Sequence, residues 1–181
     1  DDEPNPTGAY GRSKLAGEQK IAAICANHAI LRTAWVYSPF GANFVKTMLR
    51  LGETRPEVGV VADQLGNPTY AIDVADAVFA IARRMCTDPS PSLRGIFHMT
   101  GAGEASWAEF AECIFAEAAA RGRAPVAVKR ITTSDYPTPA KRPANSRLDN
   151  SRLAYAFDIT LPDWRQSTKT CVALLLAPSA A

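Results

Sequence analysis

The stretch AILRTAWVY, residues 29–37, decides the fold class. Its apolar residues run almost without interruption, as expected of a strand that is covered on both faces. A helical pattern precedes it, from residue 7 or 8 to about residue 27. That helix is predicted to bury a stripe containing Ile21, Ile24 and Cys25. A helix followed at once by a buried strand is typical of α/β folds.

Helical and strand patterns alternate along the rest of the chain. Further strands are predicted at residues 58–62, 95–101 and 126–131. Further helices are predicted at residues 43–51, 74–85, 106–121, 149–156 and from 162 onward. Asp73 is the predicted N-cap of the second of these, and Ser106 with Glu109 forms a predicted capping box at the start of the third. Residues 63–70 form a turn, and the Pro-rich segment 132–146 is a loop of a length that is usually functional. The predicted class is therefore α/β.

Composition excludes several classes of partner. The chain has 181 residues, 20 basic and 18 acidic, and its scattered arginines give no case for nucleic acid. The apolar run CVALLLA, residues 171–177, is far shorter than the ~20 residues of a membrane span, so no membrane partner is predicted. Four separated cysteines without a C-x-x-C pair indicate buried free thiols, no metal site and a reducing, cytoplasmic location. The first residues do not resemble a signal peptide, so we expect the sequence to begin inside a longer chain.

The first helix contains a candidate proton-transfer pair. In AYGRSKLAGEQ, residues 9–19, Tyr10 and Lys14 are four residues apart and share one helix face. A phenol with a pKa near ~10 is a poor acid at neutral pH, but a neighbouring ammonium group favours the phenolate. This Y-x-x-x-K pattern is equally typical of an exposed pair on a surface helix, so its meaning depends on the rest of the chain.

Five stretches together resemble the extended short-chain dehydrogenase/reductase family, in that family's order. They are NPTGAYGRSKLAGE, LRTAWVYSPFGANFVKTM, DQLGNPTYAIDVADAV, GIFHMTGAGEASWAEFA and RPANSRLDNSRL, and they span nearly all of the chain. The resemblance implies the C-terminal part of an NAD(P)-binding Rossmann-like fold plus a small α/β substrate-binding lobe. Residues 1–37 and 66–103 would belong to the dinucleotide-binding domain, and residues 38–65 and 104–181 to the substrate-binding lobe.

The same resemblance implies a reaction: hydride from NADPH or NADH reduces a 4-keto nucleotide sugar. Tyr10 would donate the proton and also contact the cofactor, Lys14 would hold the nicotinamide ribose, and Thr33 would contact the cofactor too. The family's Gly-rich pyrophosphate turn is expected to lie outside this sequence. The turn TGAGEAS, residues 100–106, lacks a third glycine and is interpreted as an ordinary strand-to-helix turn.

Further positions are implied to bind the sugar nucleotide, each with a structural alternative. Trp35 would lie against the sugar, or be a core tryptophan. Asn43 and Phe44 would line the pocket, or simply begin a helix. Gln64 would donate to the nucleotide, or be an ordinary polar turn residue, and Arg142 would bind the pyrophosphate through its planar guanidinium, or be a solvated loop residue. We expect Tyr10, Lys14 and Trp35 to face one shared cavity.

Two other functions remain open at this point. One is a non-catalytic regulatory subunit of the type that accompanies methionine adenosyltransferase; the other is an epimerase or dehydratase of the same family. The presence of both Tyr10 and Lys14 favours an enzyme, and the surroundings of Trp35 favour the rhamnose branch by resemblance. The 181 residues alone are expected to be inactive, because the hydride donor and the ketone need to be aligned by the missing half. Exposed strand edges predict self-association.

Overall fold

Short strand pairs alternate with helices, so the mixed α/β class is confirmed. The computed structural model describes residues 3–6, 8–138 and 142–177. The strands in these residues are β1 (Ala29–Arg32), β2 (Val36–Tyr37), β3 (Glu57–Val61), β4 (Leu65–Gly66), β5 (Thr69–Tyr70), β6 (Gly95–His98), β7 (Ala105–Ser106) and β8 (Ala127–Ile131). The α-helices are α1 (Ala9–Ile24), α2 (Phe44–Gly52), α3 (Ala71–Thr87), α4 (Trp107–Ala119), α5 (Ser151–Phe157) and α6 (Trp164–Leu176).

Parallel pairing brings distant parts of the chain together. Strand β1 pairs with β6, β2 with β5 and β3 with β8, all in parallel, whereas β4 and β7 are antiparallel. In the first pair Arg32 lies opposite His98, so the carboxyl ends of β1 and β6 meet at one edge. The side chain of His98 is hydrogen-bonded to the carbonyl oxygen of Asp149 at 3.1 Å. The chain leaves β1 at this edge and enters the segment that carries Thr33 and Trp35.

The run 29–37 is not one strand, and this part of the sequence prediction is wrong. Strand β1 ends at Arg32 and β2 begins at Val36, because Trp35 has a left-handed backbone with φ of 47°. A ladder requires negative φ, so pairing breaks at this residue. Strand β1 is half-buried along its length rather than covered on both faces.

Helix caps explain where two helices begin. Asn43 precedes α2, and its side-chain oxygen accepts a hydrogen bond from the Lys46 amide at 3.2 Å. Ser106 and Glu109 form a complete capping box at the start of α4, as the sequence predicts. These bonds satisfy amide groups that have no partner within the helix.

Asp73 is not the cap of α3, contrary to the prediction. The helix begins at Ala71 with Tyr70 in the N-cap position, so Asp73 lies inside the first turn. Its carboxylate instead accepts a hydrogen bond from the hydroxyl of Ser167 on α6 at 2.5 Å. The Asp73 carboxylate therefore bonds to a residue of another helix instead of capping α3.

Two hydrophobic clusters hold the elements together. The larger lies between α2, α4, α6 and the β3–β8 pair, with Phe110 and Ile114 of α4 fully buried. The smaller lies between α3, α5 and the β1–β6 pair, with Phe97 at its centre. The division of the chain into a dinucleotide-binding part and a substrate lobe stays a prediction, and α5 packs with the smaller cluster.

The predicted buried stripe on α1 is wrong. No described residue of α1 is buried; Ile21 is 49% exposed, Ile24 is 86% exposed, and Cys25 just beyond the helix is also exposed. An apolar stripe is buried only where another element covers it, and no described element covers this one. The sequence of α1 alone therefore does not determine whether its apolar stripe is buried.

The cysteines are all free, but they are not all buried as predicted. Cys25 and Cys86 are exposed, whereas Cys171 is buried within α6. Burial raises the pKa of the Cys171 thiol to about 11. Among the described residues there is no group of acidic, histidine and cysteine side chains that could hold a metal ion. Across the same residues, every helix is too short or too polar to cross a membrane.

Candidate active site

Tyr10 and Lys14 point to the same side of α1. The Lys14 ammonium lies 5.4 Å from the centroid of the Tyr10 ring, which is within cation–π range. Both side chains line a cleft of about 590 Å³ that Thr33 also lines. The Tyr10 side chain is 76% exposed, so its phenol is open to a ligand. The structure therefore brings together the three residues that were predicted to act at the cofactor.

An ion pair fixes α1 to the end of β1. Arg32 donates two hydrogen bonds to Glu18, from Nε to Oε1 at 3.0 Å and from an Nη atom to Oε2 at 2.6 Å. These bonds raise the pKa of the Arg32 guanidinium above its usual value. Both residues line the cleft of Tyr10 and Lys14. Since α1 has no buried residue, this pair is a principal restraint on how the catalytic candidates face the sheet.

The entry segment forms part of the wall of this cleft. Pro4, Asn5 and Pro6 line it, and the ring of Pro6 packs directly on Gly11 of α1. A Cβ atom on Gly11 would lie 2.8 Å from Cβ of Pro6. The glycine one residue after Tyr10 therefore lets the entry segment cross the helix closely.

Trp35 is not among the described residues that line that cleft, so the cavity that Tyr10, Lys14 and Trp35 were expected to share is not found there. Its indole stacks on Trp107 with ring centroids 3.6 Å apart and planes 10° from parallel. The Trp35 indole N–H donates a hydrogen bond to the hydroxyl of Ser146 at 3.0 Å. The backbone of Trp35 is left-handed, and Thr33, which lines the first cleft, lies two residues earlier.

A second cavity, of about 430 Å³, collects three of the residues predicted to bind the nucleotide sugar. Phe44, Gln64 and Arg142 all line it. Trp107 is part of the same wall, and its ring lies 4.7 Å from that of Phe44. Trp35 stacks on Trp107 and so lies next to a wall residue of the second cavity, although it is not among the described residues that line either cavity.

Gln64 has an internal partner in addition to its place in the cavity wall. Its amide donates a hydrogen bond to the Thr133 hydroxyl at 3.0 Å, and Thr133 in turn donates to the Asp63 carboxylate at 2.7 Å. The backbone amide of Thr133 also donates to Asp63, which lowers the pKa of that carboxyl. The predicted turn at residue 63 thus ties down the start of the long loop that carries Arg142.

Asn43 lies apart from the other predicted substrate residues. Its oxygen caps α2, and its amide nitrogen donates to the Ser38 carbonyl at 2.7 Å. It borders a different surface depression, together with Lys46 and Arg50, and is not in the wall of the Phe44 cavity. The structure gives Asn43 a helix-start role; its role in binding stays a prediction.

The sequence reasoning missed two aromatic residues and one cationic residue of this lining. Trp107, Tyr136 and Arg55 are among the residues that line the second cavity, and the guanidinium groups of Arg55 and Arg142 give it cationic side chains. Trp107 is the first residue of α4, where an apolar side chain is usually interpreted as core. The Pro-rich loop was the available signal for Tyr136, because such loops often carry function.

Comparisons with known proteins identify the family of the chain. The family model described as "RmlD substrate binding domain" matches residues 1–176. A dTDP-4-dehydrorhamnose reductase from Sinorhizobium fredii is 52% identical over 176 residues, which cover 97% of this chain and 60% of the relative. The chain thus spans somewhat over half the length of such relatives.

Two solved structures have the same fold at substantial identity. The crystal structure of a dTDP-4-dehydrorhamnose reductase from Clostridium acetobutylicum has a TM-score of 0.85 at 41% identity, over 96% of this chain and 58% of that one. The enzyme of the same name from Bacillus anthracis, solved in complex with NADP, has a TM-score of 0.84 at 35% identity, over 94% and 57%.

Proposed function

The chain belongs to the RmlD substrate-binding domain family, and from this premise we propose that it carries the proton donor and the sugar cavity of a dTDP-4-dehydrorhamnose reductase. The reaction is reduction of dTDP-4-dehydro-L-rhamnose to dTDP-L-rhamnose with NADPH or NADH. The observation that supports it best is the shared cleft of Tyr10, Lys14 and Thr33. A phenol, an ammonium and a hydroxyl in one cleft are the groups that proton transfer and ribose binding require.

The residues present fit one end of the cofactor. The Lys14 ammonium and the Thr33 hydroxyl can hydrogen-bond a ribose diol, and NAD(P)H bound there supplies the hydride. The glycine turn at residues 100–106 does not fit a pyrophosphate, because the chain's own atoms fill it. A Cβ atom on Gly101 would lie 2.4 Å from the Pro68 carbonyl oxygen, and one on Gly103 would lie 3.1 Å from the Trp164 ring.

Tyr10 moves the proton in this proposal. As the carbonyl carbon of the sugar gains a hydride, its oxygen gains negative charge, and the Tyr10 phenol donates its proton to that oxygen to give the alcohol. Lys14, 5.4 Å from the ring centroid, stabilises the phenolate that remains. The Glu18–Arg32 ion pair keeps α1 oriented while the proton moves.

The second cavity takes the nucleotide sugar in this proposal. Phe44 and Trp107 offer apolar ring surface, and the Arg142 guanidinium offers paired donors for a phosphate. In this proposal Trp35, stacked on Trp107 of this wall, contacts the sugar, and Thr33, two residues before Trp35, lines the Tyr10 cleft. Asn43 is a peripheral contact at most, since its side chain already caps α2.

The test is turnover by the complete polypeptide that contains these residues. We expect it to oxidise NADPH or NADH when dTDP-4-dehydro-L-rhamnose is added, with dTDP-L-rhamnose as product, and parallel assays give the cofactor preference. The 181 residues alone should show negligible turnover. If the complete polypeptide binds the sugar nucleotide but reduces it with neither cofactor, the reductase proposal is wrong and a non-catalytic relative takes its place.

Self-association and a cytoplasmic location complete the proposal. Ile24 on α1 and Phe79 on α3 are 86% and 66% exposed, which is apolar surface that a second copy of the chain can cover. Four free cysteines are compatible with a reducing compartment. Light scattering of the 181-residue chain at increasing concentration tests the first point: a constant monomer mass would contradict it.

A further inference from the structure

The backbone of Trp35 is in an unfavourable conformation. With φ of 47° it is one of two non-glycine residues with positive φ in the described chain. Left-handed backbone is rare for bulky side chains, and it persists only where the surroundings determine it. Such positions are often found where a side chain has to be aimed precisely.

Three residues hold the Trp35 indole from different sides. Trp107 lies parallel to it at 3.6 Å. Ser146 accepts its N–H at 3.0 Å, and the Ser146 hydroxyl donates in turn to the Leu65 carbonyl at 3.1 Å. Gly66 lies under its edge, where a Cβ atom would be only 2.3 Å from a ring carbon.

The three contacts come from separate parts of the chain. Gly66 is on β4, Trp107 begins α4, and Ser146 is 111 residues from Trp35 near the end of the Pro-rich loop. Two of these parts are already linked, since β4 pairs with β7 directly before α4. The Ser146 amide also donates to the Leu65 carbonyl at 2.8 Å, which fixes the loop beside β4.

We propose that Trp107, Ser146 and Gly66 form a clamp that sets the plane of the Trp35 indole, which makes Trp107 and Ser146 positioning residues for the sugar. This inference rests on the proposed function, because it assumes that Trp35 contacts the sugar. The position of the clamp relative to the two cavities supports this role. Trp107 lines the nucleotide-sugar cavity, while Thr33, two residues before Trp35, lines the cleft of the proton donor.

The first test is spectroscopic and needs no activity. Two indoles stacked at this distance should give a coupled band pair in the far-ultraviolet circular dichroism of the wild-type protein. Trp107→Phe should abolish the band pair. Trp164→Phe, which removes the tryptophan outside the stack, should keep it. A wild-type protein without the band pair would overturn the clamp.

The second test measures binding of the product, dTDP-L-rhamnose, to the complete polypeptide by calorimetry. Ser146→Ala removes the hydroxyl that accepts the Trp35 indole N–H and donates to the Leu65 carbonyl, and it should weaken binding roughly threefold to tenfold, while the Kd of NADPH stays unchanged. Ser146→Thr retains the hydroxyl and should restore wild-type binding. A purely structural Ser146 would lower thermal stability and leave the Kd of the sugar nucleotide unchanged, which would overturn the proposal.

The two proposals fail in different ways. If the complete polypeptide binds dTDP-L-rhamnose but shows no turnover, the reductase function is contradicted. The effect of Ser146→Ala on that binding still tests the clamp. Turnover with a sugar KM that neither Ser146→Ala nor Trp107→Phe changes contradicts the clamp and leaves the reductase function standing.

Discussion

Helix α4 buries six residues and begins with a complete capping box, whereas α1 buries none and has Gly8 in the N-cap position, where no side chain caps the helix. The first carries a wall of the sugar cavity through Trp107, and the second carries Tyr10 and Lys14. The cavity is thus built on the best-packed helix, and the proton donor on the least-packed one. Stability and proton transfer are therefore expected to respond to different substitutions.

The largest effect on stability is expected at the centre of α4. Phe110 is fully buried and its ring contacts those of Tyr37, Phe44 and Trp164. Phe110→Ala should lower the free energy of unfolding by about 3–5 kcal/mol, because it leaves a cavity. Urea unfolding measures this, with the exposed Ile24→Ala of α1 as the matched control, expected within about 0.5 kcal/mol of wild type. Equal losses in both variants would show that α1 is packed after all.

A smaller effect is expected from the ion pair that holds α1. Glu18→Gln weakens the paired hydrogen bonds to Arg32 and should destabilise the docking of α1 by about 1 kcal/mol. Hydrogen exchange should quicken at the α1 amides and leave α4 unchanged. The control is Glu117→Gln, which breaks the local pair between Glu117 of α4 and Arg121, two residues beyond the end of that helix. If the α1 amides exchange at the wild-type rate in Glu18→Gln as they do in Glu117→Gln, the Glu18–Arg32 pair does not hold the helix.

A weaker effect is expected at the start of α1. No atom lies within 4 Å of the position that a Cβ atom on Gly8 would take, so Gly8→Ser fits and adds a cap. It should stabilise the helix by a few tenths of a kcal/mol. Asn43→Ser on α2 exchanges one good cap for another but loses the hydrogen bond from the Asn43 amide to the Ser38 carbonyl, so it should lower stability by about 1 kcal/mol. Thermal unfolding of the two variants compares them, and a loss of stability in Gly8→Ser would contradict the assignment of Gly8 as cap.

The smallest effect near neutral pH is expected at the Pro-rich loop. Hydrogen bonds from the Thr133 amide and hydroxyl lower the pKa of Asp63 below its ordinary value of about 4. A lowered folded pKa means that the stabilisation is fully present above that ordinary value and is lost as the pH falls through the lowered one. The protection factor of the Thr133 amide, which compares its exchange rate with that of an unfolded chain at the same pH, should therefore stay constant from neutral pH to about pH 5 and fall only in stronger acid. Asp63→Asn should remove this acid dependence; an unchanged acid response in that variant would contradict it.

The sequence predicts what local rules control. The Ser106–Glu109 capping box, the cap at Asn43 and strands β3, β6 and β8 follow from spacing and residue type alone. The break at Trp35 does not, because its residues are strand formers and the positive φ depends on contacts from distant parts of the chain. Similarly, the exposure of Ile21 depends on whether another element covers it.

The candidate site divides in the same way. The i, i+4 spacing of Tyr10 and Lys14 on a helix is enough to predict that they face one cleft. The second cavity needs parts of the chain that only folding brings together, so Phe44, Gln64 and Arg142 were expected from resemblance. Trp107 was overlooked because an aromatic residue at a helix start has the same pattern whether it packs in a core or lines a cavity.

The most direct test of Tyr10 as proton donor is single-turnover reduction of dTDP-4-dehydro-L-rhamnose by the complete polypeptide with Tyr10→Phe. Removing one hydroxyl from a 76% exposed ring should leave the free energy of unfolding and cofactor binding unchanged. The rate of reduction should fall about 100-fold to 10,000-fold. A Tyr10→Phe variant that reduces the sugar at the wild-type rate would contradict the account.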